Sequence, residues 1–161
     1  MFLCGKKKCM NPNYPELNLP PFEHKLKVQN SKDYIWEPIR KSWILLTPEE
    51  WVRQNLIRYF ADVLAYPVGL MQSECQIKVG KIKKRFDLVI MDKNLNPWLI
   101  CECKGPNINI DASVFQQAAI YNSKLKCPYL AVTNGMKHYC FEINFKEGSF
   151  KNVGDFPVYP A

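Results

Sequence analysis

The stretch that decides the fold is RFDLVIM at residues 85–91, which is followed after a short polar segment by WLICECK at residues 98–104. Both runs are apolar and partly β-branched, and the six residues between them, DKNLNP, are mostly turn formers. This pattern predicts a β-hairpin. A symmetric register about the turn places Met91 opposite Trp98, Val89 opposite Ile100 and Asp87 opposite Glu102.

Two carboxylates are therefore expected on one face of this hairpin, at Asp87 and Glu102. Residues that face each other across two strands have Cβ atoms about 4.5–5.5 Å apart. Carboxylates that close on an apolar surface repel and desolvate each other, and a bound Mg²⁺ would remove the conflict. Lys104 is expected on the same face, two residues beyond Glu102. The sequence therefore predicts a metal site with an ammonium group beside it.

Composition indicates one folded domain of ordinary size. The chain has 161 residues, 47% of them hydrophobic, and a formal net charge of +7. The charge favours an anionic partner, although a basic surface without such a partner has the same composition. No apolar run approaches the roughly 18–20 residues of a membrane span, so we expect a cytoplasmic protein that does not cross a membrane. The seven cysteines are expected to be reduced, without a structural zinc site.

Prolines separate an N-terminal segment from the rest of the chain. Four of them fall among residues 12–21, a density that excludes a regular helix or a central strand. We expect an extended arm over residues 1–23 and a single domain over residues 24–161. The lysines at residues 6–8 belong either to a solvated terminus or to a contact with nucleic acid.

A helix is predicted from Pro48 to about Leu64. Thr47 suits the N-cap and Glu50 completes a capping box with it, folding back on the helix start. Four apolar residues then share one helical face, and Glu49 falls on that face whereas Glu50 does not. Glu49 is therefore either an exposed acid of the first turn or part of a site. The four apolar residues are Val52, Leu56, Phe60 and Val63.

Four basic residues precede Asp87 in the sequence. The basic residues either contact phosphates or form a solvated edge; they are Lys81, Lys83, Lys84 and Arg85.

After the hairpin, apolar residues recur at helical spacing. A second helix, capped by Asp111 or Ser113, should run through Lys124. It carries Gln117 and Tyr121 on one apolar face, where Gln117 could equally be a hydrogen-bonded core residue.

Two further strands are predicted at residues 129–133 and 138–143, joined at Asn134-Gly135, with an irregular tail over residues 148–161. The order helix, three strands, helix, two strands predicts an α/β (α+β) domain with a central mixed sheet flanked by helices.

In this order, the motifs resemble the PD-(D/E)xK nuclease superfamily, and more narrowly the N-terminal nuclease domain of type I restriction enzyme R subunits. The combination of a helix glutamate, D…ExK and QxxxY carries the resemblance, which extends from residue 17 to about residue 143. The proline that names the superfamily motif is replaced by Phe86. The matching stretches are residues 17–22, 47–54, 84–87, 102–106, 117–122 and 133–135.

The resemblance implies a restriction-endonuclease-like core and hydrolysis of DNA phosphodiester bonds. It assigns Mg²⁺ or Mn²⁺ ligation to Asp87 and Glu102, the catalytic lysine to Lys104 and the helix glutamate to Glu49. Gln117 and Tyr121 would be supporting residues. Other subunits of a restriction system are implied partners, and homo-oligomers are left open. Lys104 could orient or deprotonate a water molecule, or stabilise charge on the phosphate.

Two alternatives remain at this point. A scaffold of this kind could serve as a non-catalytic module that binds nucleic acid or another subunit. Asp87 and Lys104 could also form a purely structural salt bridge, which leaves Glu102 without a role. The R subunit continues into an ATP-driven motor, and because this sequence has no Walker-type glycine loop, translocation is not expected from it.

Overall fold

The computed structural model describes residues 14–79 and 82–160, and at residues 77, 79, 82 and 84 it describes the backbone alone. It is an α/β domain with a central mixed sheet and one helix on each face, as predicted. A small second sheet precedes the first helix. The strands are β1 (Leu26–Gln29), β2 (Lys32–Glu37), β3 (Ser42–Leu45), β4 (Met71–Val79), β5 (Ile82–Met91), β6 (Pro97–Cys103), β7 (Tyr129–Thr133), β8 (His138–Asn144) and β9 (Ser149–Asn152), and the helices are α1 (Pro48–Arg58) and α2 (Ala112–Leu125).

The large sheet has the strand order β4-β5-β6-β7-β8-β9, and β1, β2 and β3 form the small sheet. Neighbouring strands are antiparallel except β6 and β7, which are parallel. The predicted order is present, but β9 corrects the expectation of an irregular tail. The reason is tertiary: Phe150 of β9 packs on Phe115 of α2 and Phe141 of β8, with ring centroids 5.3 and 5.9 Å away.

Helix α1 begins as the capping signal predicts, because the Thr47 hydroxyl accepts a hydrogen bond from the Glu50 N–H at 3.1 Å. Val52, Leu56 and Phe60 are fully buried, which confirms three positions of the apolar face. Val63 is instead 49% exposed. The α-helix ends at Arg58 and continues as a π-helix over Tyr59–Val63, and the wider π turn rotates later side chains away from the stripe.

The central hairpin forms between β5 and β6 with Val89 opposite Ile100, as predicted. Met91 lies opposite Pro97 and not Trp98, because a bulge separates Ile90 from Met91. The turn itself is closed by the Asp92 carboxylate, which accepts the N–H groups of residues 94 and 96 at 2.8 and 2.9 Å. The predicted pairing therefore fails at the turn end of the hairpin, and the predicted pair of Asp87 with Glu102 lies beyond the last paired residues, Leu88 and Cys101.

The sheet separates two apolar layers. The layer under α1 contains Leu88, Cys101 and Cys103, whereas the layer under α2 contains Val89 and Ile100. Cys101 and Cys103 therefore lie on the buried face opposite Ile100, as predicted from strand alternation. The described cysteines carry free thiols; Cys4 and Cys9 lie outside the described residues. Among the described residues, no helix is long and apolar enough to cross a membrane.

Residues 14–23 lack helices and strands and lie against the domain. The Tyr14 hydroxyl donates to the Leu46 carbonyl at 2.9 Å, and the Asn18 N–H donates to the Gly135 carbonyl at 2.8 Å. Leu17 packs against the core under α1. Residues 1–13, including the three lysines, lie outside the described part of the chain, so the predicted boundary at residue 23 stays a prediction.

Gly135 is the position at which this packing is most restrictive. It has φ +80°, and a Cβ atom there would lie 2.7 Å from Leu17 Cδ2 and 3.1 Å from Val52 Cγ2. We expect Gly135→Ala to lower the free energy of unfolding by about 2–4 kcal/mol, since a left-handed backbone and an overlap are combined. Urea denaturation measures the change.

Gly154→Ala is the matched control, because Gly154 has φ +78° and no atom lies within 4 Å of the place that an added Cβ would take. It carries the backbone strain without the overlap. Equal losses in the two variants would contradict the packing of Leu17 against Gly135.

Candidate active site

The candidate site lies where β6 ends and α1 begins. A Cβ atom at Gly105 would be 3.4 Å from Pro48 Cβ and 3.9 Å from the Glu49 nitrogen, so the chain after β6 passes the start of α1. The Lys104 N–H donates to the Thr133 carbonyl at 2.8 Å. These contacts fix the backbone that carries Glu102 and Lys104.

Asp87 is held at both of its carboxylate oxygens. Oδ2 accepts the backbone N–H of Cys103 at 2.7 Å, and Oδ1 accepts Nη1 of Arg53 at 3.1 Å. The strand pairing between β5 and β6 runs as far as Leu88 and Cys101. The Asp87 side chain therefore bridges the two strands just beyond their last paired residues.

The environment of Asp87 disfavours its charge. Burial and the nearby charge of Glu102 raise its pKa, whereas the Cys103 N–H and Arg53 lower it; the result is a pKa of about 6. Its side chain is 14% exposed. Burial is the largest of these effects, and the charge of Glu102 adds to it.

Lys104 and Glu102 form an ion pair, with 3.1 Å between Nζ and Oε1. Burial lowers the pKa of Lys104, but the carboxylates of Glu102, Glu49 and Asp87 outweigh burial and raise it above the usual value. Lys104 is therefore an ammonium at neutral pH. The roles considered for Lys104 stay predictions.

Glu49 is half-buried in the first turn of α1. Its charge contributes to the raised pKa values of Asp87, Cys103 and Lys104, so it lies near the other acidic side chains. Among the described residues, no three His, Cys, Asp or Glu side chains are placed to hold one metal ion together. A catalytic role for Glu49 stays a prediction.

Glu50 corrects the helix analysis. Its carboxylate was expected to fold back on Thr47, but it contacts the Arg53 guanidinium and accepts Nε2 of Gln54 at 2.8 Å. Glu50 is only 2% exposed. The reason is that a buried cation one turn later on the same helix offers a stronger partner than a backbone N–H.

Arg53 is the residue that sequence reasoning missed. Its guanidinium contacts Glu50, Glu74 and Asp87 although its side chain is only 5% exposed. The available signal was its helical spacing, three residues after Glu50 and four after Glu49. The sequence gives no indication that Glu74 belongs to these ion pairs, because in the alternating pattern of β4 it resembles any other polar residue of the strand.

Glu74 extends these contacts to the small sheet. It has φ +51°, and its carboxylate lies 3.1 Å from Arg40 and 3.5 Å from Arg85. Arg40 in turn contacts Glu37 of β2, which is fully buried. A continuous set of ion pairs therefore connects the small sheet with α1, β4 and β5.

The supporting residues on α2 are placed differently from each other. Asp111 caps the helix by accepting the Ser113 and Val114 N–H groups at 2.9 and 3.3 Å. Gln117 is exposed, which corrects its place on an apolar face; Ala118, the next residue, is the buried one. Tyr121 is half-buried and packs in the layer under α2. Their roles at the site stay predictions.

The basic residues lie on the β4–β5 hairpin. Lys83 and Arg85 are exposed, and Arg85 is 3.5 Å from Glu74. For Lys84 only the backbone is described, and Lys81 lies outside the described residues. Their contact with nucleic acid stays a prediction.

Carboxylates outnumber cationic side chains in and around the candidate site. Among the described residues that form these ion pairs or act on the pKa of Asp87, there are six carboxylates and four cationic side chains. The potential ligands are all oxygen atoms, which suit Mg²⁺ held by one or two carboxylates. The carboxylates are Glu37, Glu49, Glu50, Glu74, Asp87 and Glu102, and the cations are Arg40, Arg53, Arg85 and Lys104.

Comparison with known proteins gives a family match over most of the site. The family model of the type I restriction enzyme R protein N terminus (HSDR_N) matches residues 48–157. A solved fragment named as an HsdR subunit of a type I restriction enzyme from Vibrio vulnificus YJ016 is 24% identical, with a TM-score of 0.36, over 55% of this chain and 18% of that chain. The chain thus spans less than a fifth of that fragment. No curated protein matches it.

The pKa of Asp87 predicts a dependence of stability on pH. Its folded pKa of about 6 exceeds the unfolded value, so the native state binds more protons and stability falls as pH rises from about 4 to 6. We expect the free energy of unfolding of Asp87→Asn to rise relative to that of wild type by up to about 3 kcal/mol over that window. Urea denaturation in EDTA at each pH measures it.

Asp111→Asn is the comparison in which stability should depend on pH in the opposite direction, because hydrogen bonds from Ser113 and Val114 lower the pKa of Asp111. Its contribution is present at neutral pH and declines as the pH falls. An Asp87→Asn difference that stays constant with pH would contradict the assigned environment.

Removing Arg53 should show how much stability is lost when the buried Glu50 carboxylate has no cation beside it. We expect Arg53→Met to lower the free energy of unfolding by about 3–5 kcal/mol, because Glu50 is left buried without its cation. Adding Glu50→Gln should recover part of that loss, and denaturation of both single variants and the double variant measures the coupling.

Arg58→Met is the control on the same helix. Its ion pair with Asp62, at 2.8 Å, is about 40% exposed on both sides, so the loss should stay below about 1 kcal/mol. Additive effects of the Arg53 and Glu50 substitutions would argue against a shared buried pair.

Proposed function

The chain belongs to the family of the type I restriction enzyme R protein N terminus, and from this premise we propose that it is a PD-(D/E)xK nuclease domain that hydrolyses DNA phosphodiester bonds with Mg²⁺ or Mn²⁺. One observation carries the proposal: Asp87, with its pKa raised by burial and by Glu102, is held beside Glu102 and Lys104 at the end of β6. The alternative of a purely structural Asp87–Lys104 salt bridge is wrong, because Asp87 pairs with Arg53 and Lys104 pairs with Glu102.

Asp87 and Glu102 would hold the cation. The chemistry that it supplies when bound is neutralisation of charge on the scissile phosphate and a lowered pKa of a water molecule. Two carboxylates are enough for this purpose, since Mg²⁺ in proteins commonly keeps several of its water ligands. The larger number of carboxylates than cationic side chains around Asp87 favours this occupancy.

The remaining residues would orient Asp87 and stabilise negative charge on the phosphate. Arg53 and the Cys103 N–H hold the two oxygens of Asp87, so this carboxylate does not have to be ordered when substrate binds. Lys104, kept as an ammonium by its acidic neighbours, would stabilise negative charge on the phosphate. Glu49 would hold a water molecule or a second ion at the start of α1.

DNA is the proposed substrate, with the basic residues of the β4–β5 hairpin contacting its backbone. Lys83 and Arg85 are exposed on β5, the strand that carries Asp87. Such contacts are independent of base sequence, so cleavage without sequence preference is expected from this domain. Other subunits of a restriction system are proposed partners, in the cytoplasm.

A second candidate function is a binding module without turnover. The observation that favours it is the Arg53–Asp87 ion pair at 3.1 Å, because a cation of the protein already neutralises part of the charge that would attract a metal. Arg53 also contacts Glu50 and Glu74, however, so Asp87 is only one of its three partners. Metal affinity decides between the two functions.

Substitutions at Lys104 and Asp87 should separate catalysis from metal binding. We expect Lys104→Ala to abolish plasmid nicking while calorimetry still detects Mn²⁺ binding, because the ammonium is not a ligand. Asp87→Ala should lose both, since Glu102 alone holds the cation poorly. Nicking is measured with Mg²⁺ and with Mn²⁺.

Lys146→Ala is the control, an exposed lysine in the turn between β8 and β9, and it should nick like wild type. Equal nicking by wild type and Lys104→Ala would point to a contaminating nuclease. Absence of Mn²⁺ binding in wild type would favour the binding module.

A further inference from the structure

The small sheet has an outer face that the candidate site does not use. Side chains alternate along a strand, so Tyr34 and Trp36 of β2 lie opposite in direction to Ile35, which is fully buried. In the paired register Lys27 lies beside Tyr34, and Trp43 beside Trp36. One face of this sheet is therefore core, and the other is aromatic and basic.

The contacts on the outer face confirm that these side chains lie together. The rings of Trp36 and Trp43 are 5.5 Å apart at 70°. The Lys27 ammonium lies 4.8 Å from the centre of the Trp43 ring and 5.6 Å from that of Tyr34. Trp43 is 36% exposed, so part of its ring surface is open to a ligand.

The charge on this face has one sign. Lys32 is exposed on the same side of β2, and Lys25 lies opposite Trp36, whose N–H donates to its carbonyl at 3.0 Å. The two acidic residues of the three strands, Asp33 and Glu37, alternate onto the inner side. Protein interfaces are depleted in lysine, whereas a basic surface with stacking rings suits a nucleic-acid strand.

We propose that the outer face of the small sheet binds single-stranded nucleic acid, with bases stacked on Trp43 and Tyr34 and phosphates bound by Lys25, Lys27 and Lys32. Bases within a duplex are already stacked on their neighbours, so only unpaired nucleotides offer their faces to these rings. The flat, sequence-independent nature of stacking implies little base preference.

The position of this face relates it to the candidate site. The inner side of the same sheet carries Glu37, and the ion pairs through Arg40 and Glu74 reach Arg53, which contacts Asp87. The inference rests on the proposed function only in taking the bound strand as part of the nuclease substrate. Binding itself requires neither metal nor cleavage, so the two can be tested separately.

The test is binding of a fluorescent oligothymidylate to the full chain in EDTA, measured by anisotropy at several salt concentrations. We expect Trp43→Ala to weaken binding about tenfold and Trp43→Phe to retain most of it. Lys27→Ala should reduce the slope of log K against log salt by about 0.7. A duplex of equal length should bind wild type and Trp43→Ala equally.

Tryptophan fluorescence gives a second reading. The chain has four tryptophans, and Trp51 and Trp98 are each 8% exposed, so quenching by the oligonucleotide should come from Trp36 and Trp43 and decline in Trp43→Phe. Val28→Ala is the matched control, since Val28 is 71% exposed on the other side of β1, and its binding should equal that of wild type.

Equal binding of the single strand by wild type and Trp43→Ala would overturn the inference and favour a protein partner for this face. Equal loss of single-strand and duplex binding in Trp43→Ala would also overturn it. If Trp43-dependent binding occurs in a protein that does not nick plasmid, the inference stands and the proposed nuclease function fails. If plasmid is nicked without Trp43-dependent binding, only the inference fails.

Discussion

The structure around the candidate site depends on one buried cation. The Arg53 guanidinium is shared by carboxylates from α1, β4 and β5, and its side chain is almost completely buried. A charge in such a place is tolerated only where it is paired and hydrogen-bonded. Because the partners come from three elements, satisfying Arg53 also fixes the helix against the two strands, and Asp87 receives its position from this constraint.

Strand β6 provides the second half of the site because its two neighbours run in different directions. It is antiparallel to β5 and parallel to β7, so its last residues are held from both sides. Asp87 receives the Cys103 N–H from one side, and the Thr133 carbonyl receives the Lys104 N–H from the other. Glu102 directly precedes these two anchored residues, so backbone hydrogen bonds fix the strand end that carries Glu102 and Lys104. The Asp87 side chain is fixed by Arg53 and by the Cys103 N–H.

Two of the differences between prediction and structure have an identifiable cause. Glu50 and Val63 were placed from the pattern of an ideal helix, and a specific partner or a change of helix type places each of them elsewhere. Glu50 follows Arg53 into the interior, and Val63 is rotated outward by the π turn. Phe150 shows the same effect for strands, because contacts with Phe115 and Phe141 accompany β9 in a tail that has no sequence pattern of its own.

The sequence by itself determined the central hairpin, the cap of α1 and the mixed sheet, because alternation along strands and local turn chemistry act over a few residues. Alternation fails at Asp87, which contacts Arg53 of α1 although Val89 packs under α2. Only the tertiary structure decided which charges neutralise one another. The partners of Arg53 are 3, 21 and 34 residues away along the chain, and no local pattern encodes the two longer separations. The pKa values of Asp87 and Lys104 depend on that arrangement, since burial and nearby charges exist only after distant elements have packed.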